Sequence, residues 1–137
     1  MKGYLIDAQT RSIHRIEVAG FNSCKHLIGP NCKGLVEMFQ FSNGDAVFKD
    51  ACGLYGEFPD GKNRPENMGL ITSDMFYDNV FPFFSRVLVL GVSEKSAKCK
   101  YDSDCDAKST EEFLHFWTRF FTNDEGFNWL SYNYMVE

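Results

Sequence analysis

The sequence predicts an α+β fold: an antiparallel sheet of about five strands, a short helix early in the chain, and one long amphipathic C-terminal helix packed on the sheet. Three observations support this prediction: a hairpin-turn sequence near residue 43, an apolar run at residues 86–92, and aromatic residues at helical spacing after residue 109. A chain of 137 residues has the length of one domain. We therefore expect residues 1–137 to form a single domain with a sheet-rich part (1–92), a polar loop (93–108), and an aromatic helix with a tail (109–137).

The first strands are expected to form a hairpin, and a short helix follows it. Residues 4–6 and 13–18 are short apolar-rich runs separated by a polar stretch, and apolar and polar residues alternate in the second run. Such alternation is typical of a half-buried strand. Asn22 and Ser23 are good helix-capping residues. A helix of barely two turns is predicted to start near them and to end at the Gly-Pro pair at position 29.

Two further segments carry the clearest local signals for strands. Residues 35–41 and 46–49 flank Asn43 and Gly44, and Asn-Gly supplies the two positive-φ residues that a type I′ hairpin turn requires. Residues 86–92 are almost continuously apolar and rich in β-branched side chains. This pattern predicts a central strand covered on both faces. Residues 68–79 are ambiguous between a short helix and irregular structure.

The C-terminal third is expected to contain the long helix. Residues 93–108 are polar and should be exposed, and Ser109 and Glu112 after them have the spacing of a capping box at a helix start. Aromatic side chains then recur at i, i+3, i+4, i+7 and i+8, namely at Phe113, Phe116, Trp117, Phe120 and Phe121. This spacing predicts one amphipathic helix with an aromatic face. Residues 123–126 should end it, and residues 127–136 should form a last strand or a strap across the sheet.

Composition narrows the class of protein. A formal net charge of -5 and a pI near 5.2 disfavour a nucleic-acid binder that neutralises phosphates. No apolar stretch approaches the roughly 20 residues of a membrane span, and the acidic residue at position 7 interrupts any signal peptide. We therefore expect a soluble, cytoplasmic protein that binds neither membranes nor nucleic acid. Its five cysteines are then expected to be free thiols.

Two groups of residues resemble metal ligands only in part. Cys24, His26 and Cys32 are close in sequence, and Cys52 could approach them, but the paired Cys-x₂₋₄-Cys spacing of a zinc site is absent. Ordinary buried thiols are the favoured interpretation. Acidic residues also alternate in the manner of a calcium loop, at Asp102, Asp104 and Asp106. That pattern lacks the turn glycine and the bidentate glutamate, so we expect a solvated acidic loop, and neither a metal nor a cofactor is predicted.

A loop near residue 60 is the best candidate for binding a small ligand. Asp60, Lys62, Asn63 and Arg64 lie in a stretch with two prolines and two glycines. Loops held by a rigid sheet often carry binding residues, and Asn and Arg together can grip an anion or a carboxylate. The competing interpretation is a solvated turn, which the composition alone explains.

The aromatic residues of the predicted C-terminal helix are the best candidate for binding a protein. Most of these rings are expected to pack on the sheet. Five large rings with Leu114 nevertheless cover more than one narrow face. The excess is predicted to form a surface for a partner or a second copy, where aromatic residues are enriched.

Several stretches of the first 92 residues also resemble a known family. They are residues 4–7, the Ile-Gly pair at 28, the turn at 43–45, the loop at 59–64 with Asn63–Arg64, and residues 87–91. Together they resemble an uncharacterised family, catalogued as a domain of unknown function, of small proteins from bacteriophages, plasmids and their bacterial hosts. The resemblance implies a mobile-element setting and no particular activity.

Two functional hypotheses follow from these observations. The leading one is a noncatalytic accessory protein of a phage or mobile element that binds another protein, or itself, through the aromatic surface. The alternative is a small-ligand-binding protein or minor enzyme that uses the Asn63–Arg64 loop. No nucleophile–base pair or phosphate-binding loop is recognisable in the sequence. This favours a protein without enzymatic activity but does not exclude an enzyme.

Overall fold

In the computed structural model, the described part of the chain folds into two antiparallel sheets and a few short helices. The described residues are 1–28, 36–50, 66–72, 80–83, 86–92 and 105–133. The strands are β1 (Lys2–Asp7), β2 (Ser12–Glu17), β3 (Val36–Gln40), β4 (Ala46–Asp50), β5 (Asn67–Thr72), β6 (Val80–Phe83), β7 (Arg86–Leu90) and β8 (Thr118–Thr122). The helices are α1 (Phe21–Cys24), continued by a 3₁₀ turn (Lys25–Leu27), α2 (Glu111–Trp117) and α3 (Asn123–Asn133).

The two sheets differ in size, and every pairing within them is antiparallel. The large sheet has the strand order β2-β1-β7-β4-β3, and the small sheet has the order β6-β5-β8. The opening hairpin is confirmed as β1 and β2. The predicted central strand is also confirmed, because β7 lies in the middle of the large sheet and its residues 87–90 are fully buried.

Alternate residues of the large sheet face two separate cores, as the period of two in a strand requires. The inner core lies between the two sheets and α2; its buried members include Tyr4, Ile6, Val47, Val87, Val89, Ile71, Phe81, Phe83 and Leu114. The outer core lies on the opposite face, where α1 and the 3₁₀ turn cover it; its members include Val18, Cys24, Ile28, Phe48, Leu88 and Leu90.

The predicted fold of one sheet and one long C-terminal helix is wrong. The described residues contain eight strands in two sheets, and the segment expected to be one helix is divided into α2, β8 and α3. Phe120 and Phe121 therefore belong to a strand, in which they pair with Gly69 and Met68 of β5. Aromatic and β-branched residues favour a strand wherever a neighbouring strand is present to pair with them. The local spacing of the rings could not indicate that β5 would be there.

The helix that follows β8 starts where the predicted long helix was expected to stop. Thr122 and Glu125 form the reciprocal bonds of a capping box: the Glu125 amide donates to Thr122 Oγ1 at 3.3 Å, and the Thr122 amide donates to Glu125 Oε1 at 3.1 Å. Residues 123–126, predicted to end a helix, instead begin α3. The strand or strap predicted for residues 127–136 is helical as far as Asn133.

This capping box should make the start of α3 sensitive to acid. The main-chain amide of Thr122, and then its hydroxyl, donate to the Glu125 carboxylate and lower the pKa of Glu125. Because the pKa is lowered in the folded state, the stabilisation is complete above the ordinary glutamate pKa of about 4.3. It is lost as the pH falls through the lower pKa of the folded protein. An NMR titration should therefore place the Glu125 pKa below its ordinary value.

Two variants serve as controls for that titration. Thr122→Ala removes the hydroxyl donor but keeps the main-chain donor, so the Glu125 pKa should rise part of the way to its ordinary value. Glu125→Gln cannot ionise, so loss of helical signal from α3 on acidification should be smaller than in the wild type. An unchanged pKa in Thr122→Ala would show that the hydroxyl bond is not formed in solution.

The hairpin around Asn43 and Gly44 is confirmed, but the predicted type I′ turn is wrong. β3 and β4 pair from Val36 opposite Asp50 to Gln40 opposite Ala46. Only Gly44 has a positive φ, of 93°, and its amide donates to the Phe41 carbonyl at 2.9 Å. A turn followed by a left-handed glycine is typical of a three-residue hairpin loop. Asn43 instead uses its side chain, whose Oδ1 accepts from the Asp45 amide at 2.9 Å.

The start of α2 also differs from the predicted capping box. Thr110 is the N-cap, and its Oγ1 accepts from the Phe113 amide at 3.1 Å. Ser109 is buried and bonds to Asp45 instead. The residues just before it are not uniformly exposed as expected: Ala107 is buried, and its amide donates to the Lys2 carbonyl at 2.8 Å. The described end of the predicted polar loop, residues 105–108, is therefore part of the packed structure, and residues 93–104 lie outside the described residues.

Candidate interaction surface

Phe116 is the most exposed large apolar side chain in the described part of the chain. It lies near the end of α2 with 76% of its surface accessible. Its ring meets the ring of Trp117 edge to face, with centroids 4.9 Å apart. Trp117 is itself half-buried. The two rings therefore form an aromatic pair that is fixed on its inner side and open on its outer side, which we call the Phe116 surface.

The inner side of α2 explains why Phe116 is held in position. Leu114 is fully buried in the inner core, and Phe113 and Trp117 pack against the same core. Phe113 also meets Phe41 edge to face at 5.1 Å. Three neighbours thus fix the rotation of α2 about its axis. Phe116, about 60° away from Phe113 around a 3.6-residue helix, is left facing outward.

The five aromatic residues predicted as a partner surface are divided among three environments. Phe113, Trp117 and Phe120 are partly buried against the inner core. Phe121 is half-buried on the other face of the small sheet, where its ring lies 6.1 Å from that of Trp129 on α3. Only Phe116 is mostly exposed. The structure therefore does not unite the five rings on one face, since helix and strand direct them differently.

Charged groups lie around the aromatic residues of α2 and β8. Glu111 and His115, one turn apart on α2, approach to 3.8 Å and are both more than half exposed. The Arg119 guanidinium lies 5.7 Å from the Trp129 ring centroid, in the range of a cation–π contact. An aromatic patch with charged residues at its rim is the usual composition of a protein interface.

A buried carboxylate, which sequence analysis missed, attaches α2 to the large sheet. Asp45 is fully buried at the start of β4. Its Oδ1 accepts from the Lys108 amide at 2.9 Å, and its Oδ2 accepts from the Ser109 amide at 2.7 Å and from Ser109 Oγ at 2.6 Å. Asn43 Nδ2 also donates to Ser109 Oγ, at 3.0 Å. Because protein donors occupy both carboxylate oxygens, this cluster is structural.

A second buried charge lies between the two sheets. Lys49 on β4 is 8% exposed, its Nζ donates to the Pro82 carbonyl of β6 at 2.7 Å, and it lies 4.5 Å from the Phe81 ring centroid. Alternation along β4 places Lys49 on the face that carries Val47, towards the small sheet. In the sequence, only the alternation of residues along the strand could have indicated that Lys49 faces the core. Lys49 links the sheets across the inner core.

The residues considered as metal ligands are only partly described. Cys24 is buried and free, its Sγ donates to the Gly20 carbonyl at 3.2 Å, and burial raises the pKa of its thiol. Asp106 Oδ1 accepts from the Lys2 amide at 2.7 Å. Within the described ranges no group of three metal-binding side chains comes together. Four of the residues considered, Cys32, Cys52, Asp102 and Asp104, lie outside those ranges.

The predicted ligand-binding loop also lies outside the described residues. Asp60, Lys62, Asn63 and Arg64 all fall between residues 51 and 65, so a small-ligand site there stays a prediction. Among the described helices, none has the length and apolar character needed to cross a membrane.

Comparisons with known proteins give no match: no protein-family model, no curated protein and no solved structure is significantly similar to this chain. The resemblance of residues 1–92 to phage and plasmid proteins therefore also stays a prediction.

Proposed function

We propose that this protein is a noncatalytic accessory protein that works by binding another protein or a second copy of itself through the Phe116 surface. The observation that carries this proposal is the 76% exposure of Phe116 beside the half-buried Trp117. The phage or mobile-element setting is part of the proposal and is based on the resemblance of residues 1–92 alone.

The physical argument concerns what an exposed ring contributes when it is covered. Burying a phenylalanine ring is worth roughly 1.5–3 kcal/mol. Because neighbouring side chains already hold α2, little conformational entropy of that helix remains to be lost on binding. Aromatic side chains in this arrangement are frequent binding hot spots. A rigid, exposed aromatic pair with charged neighbours is therefore better suited to recognition than to catalysis.

The Phe116→Ser variant should weaken association at least tenfold without unfolding the protein. The physical reason is that loss of one aromatic anchor costs about 2 kcal/mol of binding free energy, and each 1.4 kcal/mol is a factor of ten. Sedimentation velocity over a range of concentrations, with native mass spectrometry alongside, would measure the effect. If the wild type is monomeric, the quantity to compare between wild type and Phe116→Ser is the affinity for a copurifying partner protein.

His26→Ser is the control, since His26 is exposed on the 3₁₀ turn that covers the opposite face of the large sheet. It should leave association unchanged, and circular dichroism should show both variants to be folded. Association that is equally strong in the wild type and in Phe116→Ser would contradict the proposal.

A further inference from the structure

The outer edge of β8 is unpaired in the described part of the chain. The small sheet has the order β6-β5-β8, so β8 pairs with β5 on one side only. Edge strands present main-chain donors and acceptors that another extended strand can pair with. β8 also follows Phe116 after a single residue, so its edge and the Phe116 surface are neighbours in the chain.

Hydrogen bonds at the two ends of β8 show which main-chain groups face outward. The Trp117 carbonyl accepts from Thr72 Oγ1 of β5 at 3.4 Å, and the Asn123 amide donates to the Glu66 carbonyl at 2.9 Å. Odd-numbered residues thus direct their main-chain groups towards β5. Since these directions alternate along a strand, Thr118, Phe120 and Thr122 direct theirs towards the open edge.

The open edge is capped at one end, has the buried Thr118 at the other, and is half-exposed at its centre. The Thr122 amide already donates to Glu125 Oε1. Phe120, in the middle of the strand, is half-buried and its neighbour Arg119 is exposed. The N–H and C=O of Phe120 are therefore the central pair of groups that an added strand would bind.

The sequence of β8 is nearly symmetric about Phe120: Thr-Arg-Phe-Phe-Thr. If two copies pair antiparallel with Phe120 opposite Phe120, the threonines at the two ends face each other. Arg119 then lies opposite Phe121 of the second copy. A guanidinium over an aromatic ring is favourable, and Arg119 already makes such a contact with Trp129 within one chain. The strand is therefore complementary to a second copy of itself.

We propose that β8 pairs antiparallel with β8 of a second copy, so that the two small sheets form one continuous sheet across a two-fold axis at Phe120. This inference rests on the proposed function, because it names the partner as a second copy and β8 as the contact. A two-fold contact of this kind is self-complementary and closes after two copies. The Phe116 surface lies at the end of the paired strands and adds apolar contact area there.

A disulfide cross-link between two single-cysteine substitutions tests the register. Arg119→Cys and Phe121→Cys proteins are mixed, oxidised, and mapped by peptide mass spectrometry. The proposed register brings residue 119 of one copy opposite residue 121 of the other, about 4.5 Å apart between Cα atoms. Two copies of residue 119 are about 8 Å apart, beyond the roughly 7 Å limit for a disulfide. The mixture should therefore yield the 119–121 bond at least fivefold more than either variant alone yields its symmetric bond.

Two controls accompany this measurement. Ser23→Cys, at an exposed position on α1, which covers the face of the large sheet that points away from the small sheet, should give no cross-link when mixed with Phe121→Cys. If Phe121→Cys does not fold, benzoylphenylalanine at position 121 keeps an aromatic ring there. In a mixture of isotope-labelled and unlabelled protein, it should cross-link on irradiation to residue 119 of the other copy.

The outcomes separate this inference from the proposed function. A dimer that depends on Phe116 but lacks the 119–121 bond would overturn strand pairing and leave the proposed function standing. A monomer that binds a different protein through Phe116 would do the same. The 119–121 bond in a dimer that Phe116→Ser leaves unchanged would support strand pairing and overturn the role of the Phe116 surface.

Discussion

Replacing Asp45 with alanine is expected to lower the free energy of unfolding by about 3–5 kcal/mol. The substitution removes three hydrogen bonds, at 2.6 to 2.9 Å, from a fully buried carboxylate to Lys108 and Ser109. Hydrogen bonds to charged groups contribute about 1.5–3 kcal/mol each, and donors left unpaired in the interior add their desolvation cost. The full sum is not expected, because water entering the site would recover part of the loss. Urea unfolding of both proteins would measure the difference.

Asp106→Ala is the matched control for that experiment. Asp106 is an exposed carboxylate in the same segment and accepts one hydrogen bond, from the Lys2 amide at 2.7 Å. Its removal should cost no more than about 1 kcal/mol, since water can replace that bond. Ser109→Ala keeps the main-chain donors to Asp45, so its loss of unfolding free energy should lie between those of Asp45→Ala and Asp106→Ala. Equal losses in Asp45→Ala and Asp106→Ala would show that burial of Asp45 does not strengthen its bonds.

Replacing Gly91 with alanine is expected to destabilise the protein by about 3 kcal/mol, which is at the upper end for overpacking by one methyl group. A Cβ at this position would lie 2.2 Å from the Asp106 carbonyl oxygen and 2.4 Å from that of Cys105. Both are main-chain atoms of a segment that pairs with Gly91 in an antiparallel bridge. A main chain cannot rotate away as a side chain can. The two paired segments, at Gly91 and at Cys105, therefore have to move apart to accommodate the added methyl group.

Gly126→Ala provides the comparison, because its clash is as short but involves a side chain. The added Cβ would lie 2.1 Å from Met68 Sδ and 2.6 Å from Met68 Cγ, so the buried methionine has to adopt another rotamer. Alanine also favours the helix by about 1 kcal/mol relative to glycine. The net loss of unfolding free energy in urea unfolding should therefore be smaller than that of Gly91→Ala. Equal losses in the two variants would contradict the importance of the bridge between Gly91 and Cys105.

Asp45 and Gly91 both attach residues 105–110 to the large sheet, and α2 follows directly. Asp45 bonds to Lys108 and Ser109, and Gly91 contacts Cys105 and Asp106. This attachment places Leu114 in the inner core and leaves Phe116 facing outward. The position of the Phe116 surface therefore depends on contacts between separate segments of the chain, and those of Asp45 join residues more than 60 positions apart.

Local patterns predicted those elements whose signals lie within a few residues. The opening hairpin, the hairpin at Gly44 and the central strand β7 all follow from alternation, turn residues or an unbroken apolar run. The detail of the turn was missed because Asn43 bonds through its side chain to the Asp45 amide and does not adopt a positive φ. The exposed position of Phe116 was included in the predicted aromatic surface, but four buried or half-buried rings were included with it.

The sequence by itself determined the two hairpins, the buried central strand and the concentration of aromatic residues near the C-terminus, because each depends on side-chain spacing within one segment. Only the tertiary structure decided that residues 118–122 form a strand, since β5 supplies the main-chain partners that make a strand more favourable than a continued helix. The same holds for Asp45 and Ser109, which meet across 64 positions of sequence. The free energy of such contacts exists only once the chain has folded, so no local pattern records it.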